Sequence, residues 1–245
     1  QNKRKNITNT TLDPIQLGRA LFNLKKKKIK YVIMEASSHG LDQNRLDGLL
    51  FDIGIFTNLS HDHLDYHKNM KNYLNSKLIL FNEILKKNGY LISDSKIKEF
   101  KKLTKIAKKR KLKILDSSKI NFIKNDMPKD FTQTFQSKNL SMAILAAQIS
   151  KLSKSNIKKK IKKIKNVNGR LELVRKFPNN IKIYIDYAHT PDALSETLKS
   201  LKNKQKNKIS LVFGCGGERD YKKRPLMAKI AKLMCEKIFV TDDNP

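Results

Sequence analysis

Apolar and polar positions along this chain follow two rhythms, one near two residues and one near three and a half. The switches between them set out its elements. Asp13-Pro14 supplies a capping carboxylate and then a proline at the first helical position, so a helix is predicted from there to about Lys27. β-Branched runs near residues 30–35 and 52–57 predict buried strands. An amphipathic stretch predicts a long helix over residues 69–87, closed by Asn88-Gly89. Strands are expected at residues 90–93 and 112–115, on either side of a lysine-rich helix over residues 96–110. An apolar helix follows at residues 140–152 and a basic one at residues 158–165.

The segment Asn166-Val167-Asn168-Gly169-Arg170 reads as a linker, and the pattern then starts afresh. Strands are predicted at residues 181–185, 209–213 and 238–240, with helices at residues 191–201 and 224–235 between them. Strands alternating with helices imply an α/β protein built on mostly parallel sheets with flanking helices. We expect a central domain over residues 1–167 and a second, Rossmann-like domain over residues 168–245. Both ends read as cut: the first residue is Gln1, and the chain stops just past a predicted strand, at Asp242-Asp243-Asn244-Pro245.

Composition narrows the class. At 245 residues with 39% hydrophobic content the chain can build a substantial core. Its apolar runs are too short for a membrane-spanning helix, and its amino terminus does not read as a signal segment. Cys215 and Cys235 fall in different predicted elements, so a disulfide framework is not expected and a cytoplasmic protein is. The formal net charge of +31 allows a basic nucleic-acid-binding module as a rival reading. Aromatic residues do not interleave with the lysines as a stacking platform requires, so the lysines are read as solvated helix faces. No nucleic-acid partner and no membrane insertion are expected, and a monomer is.

The candidate chemistry lies at strand ends, where ligands bind in open α/β sheets. The apolar run Phe51-Asp52-Ile53-Gly54-Ile55-Phe56 leads into Thr57-Asn58-Leu59-Ser60-His61-Asp62-His63-Leu64-Asp65-Tyr66-His67. Tyr31-Val32-Ile33-Met34 leads into Glu35-Ala36-Ser37-Ser38-His39. His61, His63 and His67 could bind zinc, and His63 and His67 would share one helical face. The neighbouring donors are carboxylates and hydroxyls with no cysteine close in sequence, which suits Mg²⁺ or Mn²⁺ at least as well. A polar loop capping the next helix, with Asp65 in the capping role, is the structural alternative. The later strands end in Asp186-Tyr187-Ala188-His189-Thr190-Pro191-Asp192 and in Gly214-Cys215-Gly216-Gly217-Glu218-Arg219-Asp220. The second of these is a glycine-rich turn suited to anions, though it lacks the Gly-Lys-Ser/Thr of a phosphate loop.

These segments, together with Glu35 through Arg45, Gly169-Arg170-Leu171-Glu172 and Asp242-Asp243-Asn244-Pro245, resemble the Mur ligase family, in order and over nearly the whole chain. The resemblance implies a central ATP-binding domain and a carboxy-terminal domain of an ATP-dependent amide ligase in peptidoglycan precursor synthesis. It points to the member that adds a diamino acid, meso-diaminopimelate before L-lysine, to UDP-N-acetylmuramoyl-L-alanyl-D-glutamate through an acyl phosphate. Folylpolyglutamate- and cyanophycin-type ligases are rivals of the same fold.

By position, the resemblance implies Glu35 and His63 as Mg²⁺ ligands, joined by Lys77 if it is carbamylated. On the residues alone, Lys77 is one more surface lysine. Thr10, Thr11, Ser37 and Arg45 match contacts to the UDP-sugar. Asn139 matches an adenine contact, Arg170 a phosphate contact and Asp186 a ribose contact. Arg219, Asp243 and Asn244 match the pocket for the incoming diamino acid. The family's amino-terminal UDP-binding domain and Gly-Lys-Thr loop have no counterpart here, and Leu12 and Glu218 replace its usual Pro and Asp. A fragment inactive by itself is therefore expected.

Overall fold

A computed structural model describes residues 9–120, 134–204, 208–216 and 220–242. The chain forms two compact units, one of Gln1–Phe56, Asn69–Ser93 and Ile97–Leu115, the other of Thr57–Lys68, Asp94–Lys96 and Asp116–Pro245.

In the first unit, helix α1 (Pro14–Lys26) begins as its sequence dictates. Asp13 Oδ1 accepts from the backbone N–H groups of Ile15 and Gln16, which satisfies two orphan donors of the first turn. The short helix α2 (Ser38–Asp42) is capped by Ser37. Strand β1 (Phe51–Ile55) pairs in parallel with β2 (Leu85–Ser93), and β3 (Lys113–Asp116) lies on the far side of β2. Helix α4 (Met70–Ile79), which follows the short α3 (Leu64–His67) of the second unit, starts on the cap Asn69. Helix α5 (Phe100–Arg110) buries Leu103, Ile106 and Ala107 and turns its lysines outward. The core gathers Leu17, Leu41, Leu46 and Ile84, with Leu12, Met34, Ala36 and Phe51 packed against them. Side chains of this kind contribute about 2 kcal/mol each when fully buried.

Two expectations fail here. Residues 31–34 form no strand: Ile33 is 98% exposed, and Tyr31 and Val32 are also exposed, while Met34 turns onto the core. A β-branched run is a strand only where a neighbouring backbone pairs with it, and this one joins no sheet among the described residues. The predicted helix over residues 69–87 also ends early, in a wide π-type turn at Leu80–Ile84, and β2 takes over at Leu85. Asn88-Gly89 is therefore not a helix terminus but a bulge. The pairing register runs from Phe51↔Leu85 to Ile53↔Tyr90, and Asn88 takes a left-handed φ of 63°. A Cβ on Gly89 would stand 2.8 Å from the Lys86 carbonyl oxygen and 3.1 Å from that of Asp52, so only glycine fits between the two backbones.

In the second unit, α6 (Thr134–Ile149) and α7 (Lys154–Ile161) pack through Leu140, Ile144, Ile157 and Ile161. Both start earlier than their apolar patterns suggested, α7 because Ser153 caps it by accepting from Asn156 N–H. Strand β4 (Glu172–Lys176), which the sequence did not predict, pairs antiparallel with β5 (Lys182–Ile185). Further on, β6 (Ser210–Phe213) and β7 (Lys237–Val240) pair in parallel. Helices α8 (Pro191–Lys204) and α9 (Lys223–Met234) pack through Leu194, Leu198 and Met227. Among the described residues no helix is long and apolar enough to cross a membrane.

Candidate active site

In the first unit the turn from residues 31–34 into α2 meets the segment just before α1. Thr11 Oγ1 donates to the Glu35 carbonyl oxygen at 3.0 Å and accepts from Ser37 N–H at 2.9 Å. Ser37 Oγ lies 3.0 Å from Thr11 Oγ1 and accepts from Gly40 N–H, which caps α2. Arg45 Nη1 donates to the Thr11 carbonyl oxygen at 2.8 Å, and its Nη2 donates to Gln43 Oε1. Thr11, Ser37 and Arg45 are thus brought together, around the backbone of Glu35. The Glu35 side chain and Thr10 are exposed. Gln43 belongs to this group and was passed over by sequence reasoning. Its only signal was its position two residues before the arginine.

Lys77 lies on α4. The preceding residue, Ser76, is buried and donates to Asp42 Oδ1 at 2.9 Å, which pins α4 to the end of α2. Lys77 Nζ sits over the Tyr73 ring, 5.0 Å from its centroid, one helical turn away.

The second unit carries the histidine-rich loop. His61 Nε2 lies 2.7 Å from Asp220 Oδ2, whose side chain is buried. Asp62 is a hub: its Oδ2 is 3.2 Å from His189 Nε2 and 3.3 Å from His63 Nε2, and its Oδ1 is 3.7 Å from the buried Lys223 Nζ. Burial pushes the Asp62 pKa up, but the His189 hydrogen bond and the charges of His63, His189 and Lys223 outweigh it, holding the carboxyl at about 2. The hydrogen bond to Asp62 in turn raises the His189 pKa against its partial burial. Asp62 Oδ1 also accepts from His63 N–H, which helps fix His63 in a left-handed conformation with φ of 56°.

The three sequence-adjacent histidines do not converge. His61 is committed to Asp220, and His67 is buried in α3 with its ring edge-on to Tyr66. Among the described residues no three His, Cys, Asp or Glu side chains gather as a metal cage, which sets the zinc reading aside. Mg²⁺ makes a smaller demand, one or two protein donors with phosphate oxygens and water, and an exposed carboxylate such as Glu35 meets it.

Nucleotide candidates also lie in this unit. The Arg170 guanidinium stacks over the Tyr187 ring at 4.5 Å, and the Tyr187 and His189 rings are 5.0 Å apart. The Asp186 carboxylate already accepts from Leu171 N–H at 2.6 Å, Ala188 N–H at 2.9 Å and Thr197 Oγ1 at 3.0 Å. Asn139 is exposed on α6. Beside it the buried Gln136 donates through Nε2 to Asn166 Oδ1, and its Oε1 has no partner among the described residues. Arg219, Asp243 and Asn244 lie outside the described residues.

Comparison with known proteins gives this arrangement a lineage. The model of the Mur ligase middle domain matches residues 1–167, and that of the Mur ligase glutamate ligase domain matches residues 169–245. A UDP-N-acetylmuramoyl-L-alanyl-D-glutamate--2,6-diaminopimelate ligase from Rickettsia bellii (strain RML369-C) is 41% identical over 259 residues, covering 96% of this chain and 54% of the relative. One from Buchnera aphidicola subsp. Schizaphis graminum (strain Sg) is 36% identical over 270 residues, covering 100% of this chain and 54% of its own length. A solved ligase of the same name is 32% identical with a TM-score of 0.65, over 96% of this chain and 53% of that one. The folylpolyglutamate synthase of Thermotoga maritima shares the fold at 18% identity, with a TM-score of 0.54 over 78% of this chain and 47% of that one. The chain spans about half the length of the curated relatives it matches. With both family models together accounting for almost every residue, this chain belongs to the Mur ligase family.

Proposed function

We propose that the protein bearing this chain is an ATP-dependent amide ligase that joins meso-diaminopimelate to UDP-N-acetylmuramoyl-L-alanyl-D-glutamate. One observation carries this reading: relatives named for that reaction match 96% of the chain at up to 41% identity. A carboxylate is a poor electrophile, so one substrate carboxylate oxygen attacks the γ-phosphorus of ATP and ADP leaves. The amine of the diamino acid then attacks the acyl carbon. Phosphate departs with the C–O bond electrons, and the nitrogen loses a proton as the amide forms. The protein's task is positioning and charge neutralisation.

Glu35 and His63 are the proposed ligands of Mg²⁺, with Lys77 if carbamylated, because an ammonium would repel the cation and a carbamate would attract it. Mg²⁺, when bound, neutralises phosphate charge. Thr10, Thr11, Ser37 and Arg45 are assigned to the UDP-sugar substrate, and Arg45, already oriented by the Thr11 carbonyl and Gln43, suits its anionic groups. Asn139, Arg170 and Asp186 are assigned to the nucleotide. The stacking of Arg170 on Tyr187 supports its role, because a guanidinium held flat presents its N–H edge to phosphate oxygens. Arg219, Asp243 and Asn244 are assigned to the diamino acid on sequence resemblance. The compartment proposed is the cytoplasm.

The test is phosphate release by the full-length protein with ATP, Mg²⁺ and the UDP-dipeptide, comparing meso-diaminopimelate with L-lysine. Turnover with meso-diaminopimelate, lost in Glu35→Ala and His63→Ala, supports the reading. Turnover with L-lysine alone reassigns the third residue. No turnover with either, but activity on a folate and glutamate, moves the protein to the folylpolyglutamate type.

A further inference from the structure

Within the ligase reading above, we propose that Lys223 is a catalytic residue whose ammonium binds the phosphoryl group as it passes from ATP to the substrate carboxylate. Lys223 is 5% exposed, yet among the described residues its Nζ has a single ion-pair partner, Asp62 Oδ1 at 3.7 Å, and no hydrogen bond. That distance lies beyond hydrogen-bond reach. An ammonium has three protons to donate, and burying its charge is costly unless it is both paired and hydrogen-bonded. The nitrogen is not sealed off. Among the described residues, the unpartnered side-chain polar atoms cut off from solvent are Arg110 Nε and Gln136 Oε1. Lys223 thus holds unsatisfied donors where a ligand can reach them.

Neither the nearby carboxylate nor the helix accounts for this lysine. Asp62 is shared: its Oδ2 stands 3.2 Å from His189 Nε2 and 3.3 Å from His63 Nε2, while its Oδ1 accepts from His63 N–H at 3.0 Å. One carboxylate therefore serves three basic side chains, which leaves room for an anion. Lys223 is also the first residue of α9, where the positive end of the helix dipole disfavours a cation and favours an anion.

The surroundings identify that anion. Arg170, assigned to phosphate, lies 4.5 Å over the Tyr187 ring, the Tyr187 and His189 rings are 5.0 Å apart, and His189 reaches Asp62. Lys223 ends this run of contacts, beyond the ribose and phosphate candidates, where the terminal phosphate of a nucleotide lying along them belongs. A compact ammonium suits a phosphoryl group, which it meets as a point charge. As the bond from the γ-phosphorus to the ADP oxygen breaks and the bond to the carboxylate oxygen forms, the ammonium keeps its protons and offsets charge on the phosphoryl oxygens.

Calorimetric binding of ADP and of the non-hydrolysable ATP analogue AMPPNP to the full-length protein tests this, comparing wild type with Lys223→Met. The substitution keeps the buried stem and removes the charge. It is expected to weaken AMPPNP by roughly tenfold or more and ADP by less than about twofold. In turnover, kcat falls by about a hundredfold, with the KM for the diamino acid within about threefold of wild type. Equal loss of both nucleotides, or loss of neither, overturns the assignment. So does unchanged AMPPNP binding with a raised KM for the diamino acid, which gives the ammonium to that substrate's carboxylate. Wild-type protein that binds neither nucleotide sinks the ligase reading and this proposal with it, whereas wild-type binding of both that the substitution leaves unmoved sinks this proposal alone. If Lys223→Met does not fold, the wild-type structure with ADP and aluminium fluoride decides. Lys223 Nζ is expected within hydrogen-bond reach of the fluoride, and an ammonium that stays on Asp62 alone overturns the idea.

Discussion

His61 Nε2 stands 2.7 Å from Asp220 Oδ2, joining residues 159 positions apart in sequence. It ties the loop that follows β1 to the turn that opens α9. The Asp220 side chain is 4% exposed, and its Oδ1 also accepts from Lys222 N–H, so the carboxylate is buried with a partner on each oxygen. Removing His61 leaves that carboxylate without its main partner. His61→Ala is expected to lower stability by about 2 kcal/mol, since an uncompensated buried charge costs more than the contact itself. Urea unfolding of both single variants and the double variant with Asp220→Ala should show a double loss smaller than the sum. Additive losses would mean that the two side chains do not act as a pair.

The Asp62–His189 contact predicts a stability window in pH, measured on metal-free protein. Asp62 is held at about 2, below its ordinary 3.8, so its contribution is present above 3.8 and is lost as pH falls toward 2. His189 is raised above its ordinary 6.5, so its contribution is complete below 6.5 and is lost as pH rises through the raised value. The tie is therefore fullest between those two ordinary values. Asp62→Asn should flatten both the acid and the neutral-to-alkaline slopes of the urea midpoint. A variant that keeps the wild-type slope above pH 6.5 would assign that slope to another group.

What the sequence could and could not disclose follows from the range of each interaction. The Asp13 cap rests on backbone groups two and three residues away, and α1, α8 and α9 on partners about four residues away, so local pattern foretold them. Residues 31–34 have the composition of a strand, but a strand needs a second backbone, which no local pattern contains. Asn88-Gly89 has the chemistry of both a helix terminus and a bulge, and only the pairing with β1 distinguishes them. Strand β4 escaped notice because Leu173 and Val174 are both exposed, so it has no buried face and hence no alternation. At the candidate site, the residue types were legible because metal and phosphate chemistry restricts them. The partners of Thr11, 24 to 34 residues away, were not.

Two glycines in helices should respond to alanine with opposite signs. Gly18 lies inside α1 with nothing within 4 Å of an added Cβ, so Gly18→Ala should stabilise by about 0.5–1 kcal/mol through backbone entropy and helix propensity. Gly40 faces Thr11 at 2.7–3.0 Å, too close for a methyl, so Gly40→Ala should destabilise by about 1–3 kcal/mol. Thermal melting of the two variants checks both at once. A stabilising Gly40→Ala would show that α2 can move away from Thr11 at little cost.

Asp186 offers a separation of structural from ligand-binding roles. Its two oxygens have about four acceptor sites. Three are filled by Leu171 N–H, Ala188 N–H and Thr197 Oγ1, which leaves one for a ribose hydroxyl. The Leu171 bond matters most for the fold, because Leu171 is buried with a left-handed φ of 47° in the turn after Arg170, a conformation that leucine does not favour by itself. Asp186→Asn keeps one carbonyl oxygen but turns an NH₂ group toward a second donor. It should cost on the order of 2 kcal/mol, with a raised KM for ATP because the acceptor left for the ribose is given up as the amide reorients. Thr197→Val removes one bond and leaves the carboxylate charge in place. It should cost about 1 kcal/mol and leave the KM for ATP within about twofold. If Thr197→Val raises the KM as much as Asp186→Asn does, the nucleotide depends on the rigidity of this turn and not on the free acceptor of Asp186.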